Sequence, residues 1–513
     1  MDELEDLQQR EVERHLSTTV KQSGIVFIGR IIGYALGLAN YFILARLFGA
    51  RVLGEYSLVL NTVSVITIIT AFGLNIGLVK YISRYRADNS PNKVLLLVRS
   101  AVLWSALFSL FGGGLFFILR TPIATKMYHD GNLILPFIVG AWIIVPNALI
   151  TVIHGVYRGF KDVRYFSLFN EIVRKGVFGI VLLILLLLSL RESVFVVSAF
   201  LLVSMLVIIL LLFKTSMFGI GIRNIFFIGS RDKTQKRNIQ RELFGYSSTM
   251  VFISFMSTLL HRIDKIMIGI FKYSELVGIY ATADRIGTLP TILLISSNVI
   301  FSSVIAELYY QKKTETLESL YRTVTKWLVI LTLPIIVSIV IFSKVILNFF
   351  GSEFIVGSST LIVLSIAQMI NTASGTNALI LGLSGREKLL LFNNISMIVL
   401  NVGMNSILIP KMGILGAAIA TGASIVIVNI VKTVEIKLLI GIFPYDKRFL
   451  HIFLNLAAII GVSTFIQRFW SSIVAAAVCV LVNITISVFI SFLFKDSSDE
   501  FIFQKVRSKL SSK

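Results

Sequence analysis

Cysteine and charge are both scarce in this sequence. A single cysteine, Cys479, stands among 513 residues and lies inside an apolar run, which excludes a disulfide framework and a thiolate metal cluster. Charged residues make up 15% of the chain, against about 25% in an ordinary soluble protein. No G-x-x-x-x-G-K-[S/T] loop occurs, so nucleotide hydrolysis by that route is excluded, and no H-E-x-x-H zinc motif is present. The apolar runs do not alternate with period two, which excludes a β-barrel. The aromatic and aliphatic content excludes disorder.

What is present is hydrophobic sequence in long stretches. Hydrophobic residues make up 56% of the chain, and uninterrupted runs such as 181–190 and 201–213 are frequent. A membrane-crossing helix needs about 20 mostly apolar residues. The pattern predicts an all-α polytopic membrane protein with about fourteen transmembrane helices, spans 1 to 14. They cover 23–47, 53–80, 95–119, 133–155, 166–189, 194–213, 245–271, 276–304, 325–348, 356–382, 389–409, 414–438, 450–467 and 471–493.

The net charge of +21 is read as the lysine and arginine excess of cytoplasmic loops rather than a nucleic-acid footprint. With the N-terminus cytoplasmic, about 32 of the 48 basic residues fall in cytoplasmic segments, about 9 in outer loops and about 7 within helices. Both termini are expected in the cytoplasm, in the cell membrane. Residues 1–22 carry six acidic side chains ahead of any apolar stretch, and so read as a polar cytoplasmic segment rather than a signal peptide. The expected organisation is a first lobe over 23–213, a basic cytoplasmic linker over 214–244, a second lobe over 245–440, two further helices within 441–494 and a cytoplasmic tail over 495–513. The linker is expected to lie against anionic membrane lipids.

The lobes echo each other. Leu53-Gly54-Glu55-Tyr56 opens span 2 and Val277-Gly278-Ile279-Tyr280 opens span 8, while Arg158-Gly159 after span 4 matches Ser384-Gly385 after span 10, with offsets of 224 and 226 residues. An even number of helices per repeat predicts two parallel six-helix lobes. In each Gly-x-Tyr the glycine is expected to tighten the outer turn, and the tyrosine to anchor at the membrane interface.

Ionisable groups within the spans cost at least about 2.5–3.5 kcal/mol each to insert, so their positions carry information. Arg30 lies deep in span 1. Span 7 holds His261, Arg262, Asp264 and Lys265, and span 8 brings in Asp284 and Arg285. Guanidinium groups suit phosphate oxygens, so Arg30, Arg262, Arg285 and Lys265 are candidate binders of a large phosphorylated anion in a hydrated cationic cleft. Asp264, Asp284 and His261 are candidates for coupling to protons or sodium, and an Asp264–Arg285 contact is expected. Gly33/Gly37 and Gly416/Ala420 read as close helix contacts, and Pro136, Pro146, Pro290 and Pro334 as kinks.

Four segments carry a resemblance. Ala45-Arg46-Leu47-Phe48-Gly49-Ala50-Arg51-Val52-Leu53-Gly54-Glu55-Tyr56 resembles the signature of the polysaccharide-biosynthesis (Wzx-type) flippases. Phe72-Gly73-Leu74 through Lys80-Tyr81 is similar to the end of their second helix. Arg262-Ile263-Asp264-Lys265 with Gly278-Ile279-Tyr280 and Ala283 is similar to their seventh-to-eighth helix motif. Leu408-Ile409-Pro410 with Gly413 to Ala418 is similar to their eleventh-to-twelfth helix junction. The resemblance implies membership of the multidrug/oligosaccharidyl-lipid/polysaccharide exporter superfamily and alternating access. It also implies translocation of undecaprenyl- or dolichyl-pyrophosphate-linked glycans, with Arg30 and Arg285 in a central cationic cavity. The expected function is therefore a lipid-linked oligosaccharide flippase, with no enzymatic activity and no cofactor or metal. Its expected partners are the lipid-linked glycan, membrane lipids, a coupling proton or sodium ion and glycan-assembly proteins. The alternative reading is a cation-coupled multidrug exporter of the same fold, which would favour a carboxylate-lined cavity over a basic one.

Overall fold

The structure, a computed structural model, describes residues 29, 31–221, 223, 233–446, 449 and 451–493. The segments 1–22 and 495–513, Arg30 and the middle of the basic linker (222 and 224–232) lie outside the described residues. The described residues are helical, with no strand among them. Among the described residues, eleven helical stretches are long and apolar enough to cross a membrane, or twelve with one bent pair. The difference from the fourteen expected spans lies in two places. Residues 31–70 form one long stretch containing both span 1 and span 2. Span 5, at 164–187, is interrupted by a π-turn over Leu168–Val173.

The chain divides into two compact units: Met1–Arg262 with Tyr273–Glu275, and Ile263–Lys272 with Leu276–Lys513. The first contains α1 (31–43), a π-turn at Leu44–Phe48, α2 (Gly49–Thr70), α3 (Leu74–Ala87), α4 (Pro91–Pro122), α5 (Ile134–Gly159), α6 (164–187) and α7 (Ser193–Lys214). A 39-residue helix, α8 (Lys233–Phe271), follows, and the boundary between the units falls inside it. The second unit continues with α9 (Ser274–Gly287), α10 (Thr291–Tyr310), α11 (Thr314–Ile341), α12 (Ser343–Phe350), α13 (Ser358–Ala373), α14 (Asn377–Leu383), α15 (Glu387–Met412), α16 (Ile414–Ile440), α17 (His451–Phe469) and α18 (Ile473–Leu493).

Several sequence signals find a mechanical role. Phe72-Gly73 breaks span 2 into α2 and α3: Gly73 has φ +64, and a Cβ there would strike the α8 backbone at Ser247 and Val251, so glycine is required. The start of α8 was read as part of a loop, yet it packs as a helix into the first unit. Ile239 and Leu243 are buried with Leu78, Tyr81 and Val98, and Tyr85 donates to Glu242 at 2.8 Å. In the second unit α9 and α10 meet at a 49° bend beside Pro290. Gly416, at the start of α16, lies against the Leu408 carbonyl, where a side chain would not fit.

Inside lipid the hydrophobic effect gives helices little reason to associate, and small or polar residues take over. The last two helices show this. On α18, Asn483 donates to Ser338 of α11 at 3.0 Å and to Ser463 of α17 at 2.7 Å. Asn455 of α17 donates to Ser487 of α18, whose hydroxyl donates to the Ile330 carbonyl of α11. All six side chains that form this seam, Cys479 included, are buried.

Candidate functional site

Asp264 sits in α8, inside a stretch apolar enough to cross the membrane. Four hydrogen bonds converge on its carboxylate. Oδ1 accepts from Asn401 Nδ2 at 3.1 Å and Asn405 Nδ2 at 2.8 Å, both on α15. Oδ2 accepts from the Thr421 hydroxyl of α16 at 2.7 Å and the Tyr280 hydroxyl of α9 at 3.1 Å. The two asparagines are one turn apart, which puts both amides on one helix face, and Asn405 also donates to Asn401 Oδ1 at 2.9 Å. Asn401, Asn405 and Tyr280 are buried. The Asn405 Oδ1 atom is buried with no hydrogen-bond partner.

The next residue is committed elsewhere. Lys265 Nζ stands 2.6 Å from Asp284 Oδ2, an ion pair whose side chains are 12% and 29% exposed. Two arrangements thus form side by side: Asp264 with amides and hydroxyls, and Asp284 with Lys265. The physical reason is register. Asp264 meets α15, α16 and the Tyr280 hydroxyl of α9, and the long lysine stem reaches Asp284 further along α9. Tyr280 joins the two, since its hydroxyl bonds Asp264 and its ring centre lies 6.0 Å from Lys265 Nζ. Within the first unit Arg262 Nη1 donates to Asn61 Oδ1 of α2 at 2.8 Å. Arg285 is partly buried and His261 is exposed. Arg30 lies outside the described residues, so the expected meeting of three arginines is not part of the description.

Both Gly-x-Tyr tyrosines depart from expectation. Tyr56 and Tyr280 are 7% and 0% exposed, so neither anchors at an interface. Tyr56 stacks on Phe178 of α6, and Glu55 takes hydrogen bonds from Arg51 and Ser193. The turn glycine is Gly49, with φ +87, whereas Gly54 and Gly278 lie inside helices.

A second group of partly buried charge was not singled out from the sequence. On α6, Glu171 pairs with Lys175 at 2.6 Å. Arg174 donates to Asn170 at 3.1 Å, to Asn147 of α5 at 2.6 Å and to Ser204 of α7 at 2.9 Å, with its guanidinium over the Phe200 ring. The i to i+4 spacing of Glu171 and Lys175 inside span 5 is the signal that marks it. The four-residue spacing of Asn401 and Asn405 in span 11 marks the Asp264 ring in the same way.

The offsets of the repeat align the two groups. A shift of 224 places Asn40 at Asp264, and a shift of 226 places Lys175 and Gly179 at Asn401 and Asn405. Asn40 Nδ2 donates to the Lys175 carbonyl at 2.8 Å, and Gly179 lies directly against Asn40 Oδ1. The same three positions meet in each unit.

Residues 19–305 match the family described as polysaccharide biosynthesis protein. The chain belongs to that family. Among curated relatives, this family member is 29% identical over 218 residues to the "Probable low-salt glycan biosynthesis flippase Agl15" of Haloferax volcanii, covering 40% of this chain and 44% of the relative, so the match spans less than half of that protein. It is 23% identical over 402 residues to the uncharacterized membrane protein MJ1068 of Methanocaldococcus jannaschii, covering 72% of this chain and 74% of the relative. Its fold is similar to the lipid II flippase MurJ in an inward closed conformation (TM-score 0.71, 15% identity, 95% of this chain and 99% of that one). It is also similar to an inward-facing multidrug resistance MATE transporter of the MOP superfamily (TM-score 0.64, 18% identity, 80% and 94%). The chain is a multi-pass membrane protein with the fold of the flippase and transporter structures it resembles.

Proposed function

We propose that this family member is a flippase that moves lipid-pyrophosphate-linked oligosaccharides across the cell membrane by alternating access, without catalysing a covalent step, with both termini in the cytoplasm. The observation that carries the reading is the concentration of cationic side chains, Arg262, Lys265 and Arg285, within α8 and α9 inside apolar stretches. A diphosphate crossing hydrocarbon loses its hydration, and fixed guanidinium and ammonium groups replace it. Arg30 joins them as a substrate ligand in this reading. The glycan flippase named among the relatives supports the choice of cargo, and basic deep charges disfavour a cationic drug.

Asp264 is the coupling residue. Its two carboxylate oxygens, the Thr421 hydroxyl and the side-chain oxygens of Asn401 and Asn405, once the amides turn over, form an all-oxygen cage of the kind that holds a hard monovalent cation. The unpartnered Asn405 Oδ1 is the atom such an ion would satisfy. Amide orientation follows the surrounding hydrogen bonds, so turning both amides exchanges donors for acceptors. Asp284 responds indirectly, through Lys265, and His261 stands nearby as a proton-responsive group.

The test is reconstitution of the full chain into vesicles with a fluorescent polyprenyl-pyrophosphate-linked oligosaccharide, scored by protection from an impermeant quencher. Protein-dependent movement, stimulated by a sodium or proton gradient and stopped by Arg262→Ala or Arg285→Ala, is expected. Unmoved lipid, or transport of a cationic dye in its place, overturns the reading in favour of no flippase or of a multidrug exporter.

A further inference from the structure

We propose that Glu171 and Lys175 of α6, with Tyr34 of α1, form an anion-exchange subsite that takes a phosphate or carboxylate group of the cargo. The inference rests on the flippase reading and names a second point of cargo recognition, within the first unit.

Charge is the first argument. Between Tyr165 and Leu187, α6 carries two cations, Arg174 and Lys175, and one carboxylate, Glu171. Arg174 is spent on neutral partners, namely Asn147, Asn170, Ser204 and the face of Phe200. Glu171 lies within one turn of both cations and pairs with Lys175. The helix is thus short of one negative charge in its membrane-embedded part.

Access is the second. Glu171 and Lys175 lie roughly 10 and 16 Å along the helix from Arg164 at 1.5 Å per residue. Their side chains are nonetheless 28% and 29% exposed. Ionised groups facing acyl tails at that depth are costly and rare, so the exposed edges face water. Tyr34 is 40% exposed, with its ring centre 6.0 Å from Lys175 Nζ, an amphipathic surface suited to a sugar or diphosphate beside the ammonium.

Exchange is the third. Glu171 lies in the π-turn Leu168–Val173, a distortion that frequently marks functional positions. Gly33 of α1 has no side chain to crowd it, since a Cβ there would press on the Glu171 carboxylate. Asn170 Nδ2 also donates to Glu171 at 3.3 Å, so the carboxylate keeps a partner when it leaves Lys175. An incoming anion then takes the Lys175 ammonium, and Glu171 turns towards Asn170 and Arg174. Glu171 is a resident stand-in for the cargo's own charge.

The experiment measures binding of geranyl pyrophosphate to the full chain in nanodiscs. Lys175→Gln is expected to weaken binding by about tenfold or more and Glu171→Gln, which removes the internal competitor, to tighten it by about threefold. The charge swap Glu171→Lys with Lys175→Glu restores a merely structural ion pair but does not restore binding. Absence of binding to the unaltered chain, normal binding by Lys175→Gln, or full recovery in the swap overturns the proposal. Competition by inorganic pyrophosphate assigns the subsite to the carrier's diphosphate, and competition by glucuronate assigns it to an acidic sugar; either supports the exchange. In the vesicle assay, equal transport by the unaltered chain and by Lys175→Gln defeats this subsite alone. A failure of the unaltered chain to move the glycan lipid defeats the flippase reading instead.

Discussion

Asn40 in the first unit and Asp264 in the second occupy matching positions of the repeat, and each meets the corresponding helix at matching places. In the first unit the meeting is made with backbone: an amide donates to the Lys175 carbonyl and lies against Gly179. In the second it is made with side chains, as two asparagines, a threonine and a tyrosine surround a carboxylate. One position uses an amide to bind two helices together; the other gathers four hydrogen-bond donors on one carboxylate. The charge of the first unit lies on α6 instead, at Glu171, Arg174 and Lys175. The comparison teaches that a duplicated helix crossing need not duplicate its chemistry: changes at three positions replace a backbone contact with a hydrogen-bonded carboxylate.

The largest effect is expected from removing the ion-facing charge. Asp264→Asn should abolish the gradient dependence of transport and lower the rate by at least about tenfold, about 1.4 kcal/mol, while the inserted protein remains folded by size-exclusion in detergent. Retention of gradient-driven transport would break the comparison. Next comes the fixed guanidinium. Arg174→Met leaves the Asn147, Asn170 and Ser204 acceptors without their donor and should destabilise the first unit by about 2–3 kcal/mol, read as a lower thermal midpoint with ion dependence intact. Converting the first unit towards the second should also cost. Asn40→Asp loses the donor to the Lys175 carbonyl and brings two acceptors together, an expected loss of about 1–3 kcal/mol with no new ion dependence, because no amides stand at 175 and 179. A smaller effect is expected at Tyr280→Phe, which removes one of four donors to Asp264 and should lower stability by about 1 kcal/mol while changing the ion concentration for half-maximal transport.

The smallest effect lies in the loop between α4 and α5. Burial raises the Asp130 pKa, but hydrogen bonds from Ser274 and Asn132 and the charge of Arg51 outweigh it and hold the carboxyl below its usual range. A lowered folded-state value means that its contribution is present above the unfolded carboxylate pKa of about 3.9 and fades only as the pH falls below that. Asp130→Asn should therefore leave stability at pH 7 slightly lower and flatten its decline on acidification, measurable by thermal unfolding across pH 3 to 7.

The helical membrane architecture was legible because hydrocarbon imposes long apolar runs, and the repeat was legible because glycine and tyrosine recur at nearly constant offset. Asp264 stood out for the same reason, as an acid in an apolar helix. Its partners did not. Asn401, Asn405 and Thr421 lie about 140 to 160 residues further along, and a neutral amide in an apolar run looks like ordinary helix packing until the helix facing it is known. The two Gly-x-Tyr motifs misled for a related reason: a tyrosine near a span's end reads as an interfacial anchor, but burial against Phe178 or hydrogen bonding to Asp264 is a matter of tertiary packing. The Glu171–Lys175 pair was visible as a spacing, and missed because an i to i+4 pair of opposite charge on one helix reads as self-contained until Asn40 is seen against it.

The seam that binds α17 and α18 to α11 bears on how the protein is made. Those hairpin helices leave the ribosome after α11, bearing asparagine and serine side chains that find no water in the bilayer. Until they dock, Asn483 lacks its Ser338 acceptor and the Ser487 hydroxyl lacks the Ile330 carbonyl, the two bonds that reach α11. Biogenesis of the second unit therefore closes only when its C-terminal hairpin arrives, and quality control that senses polar groups in lipid has a direct handle on any chain truncated before that step.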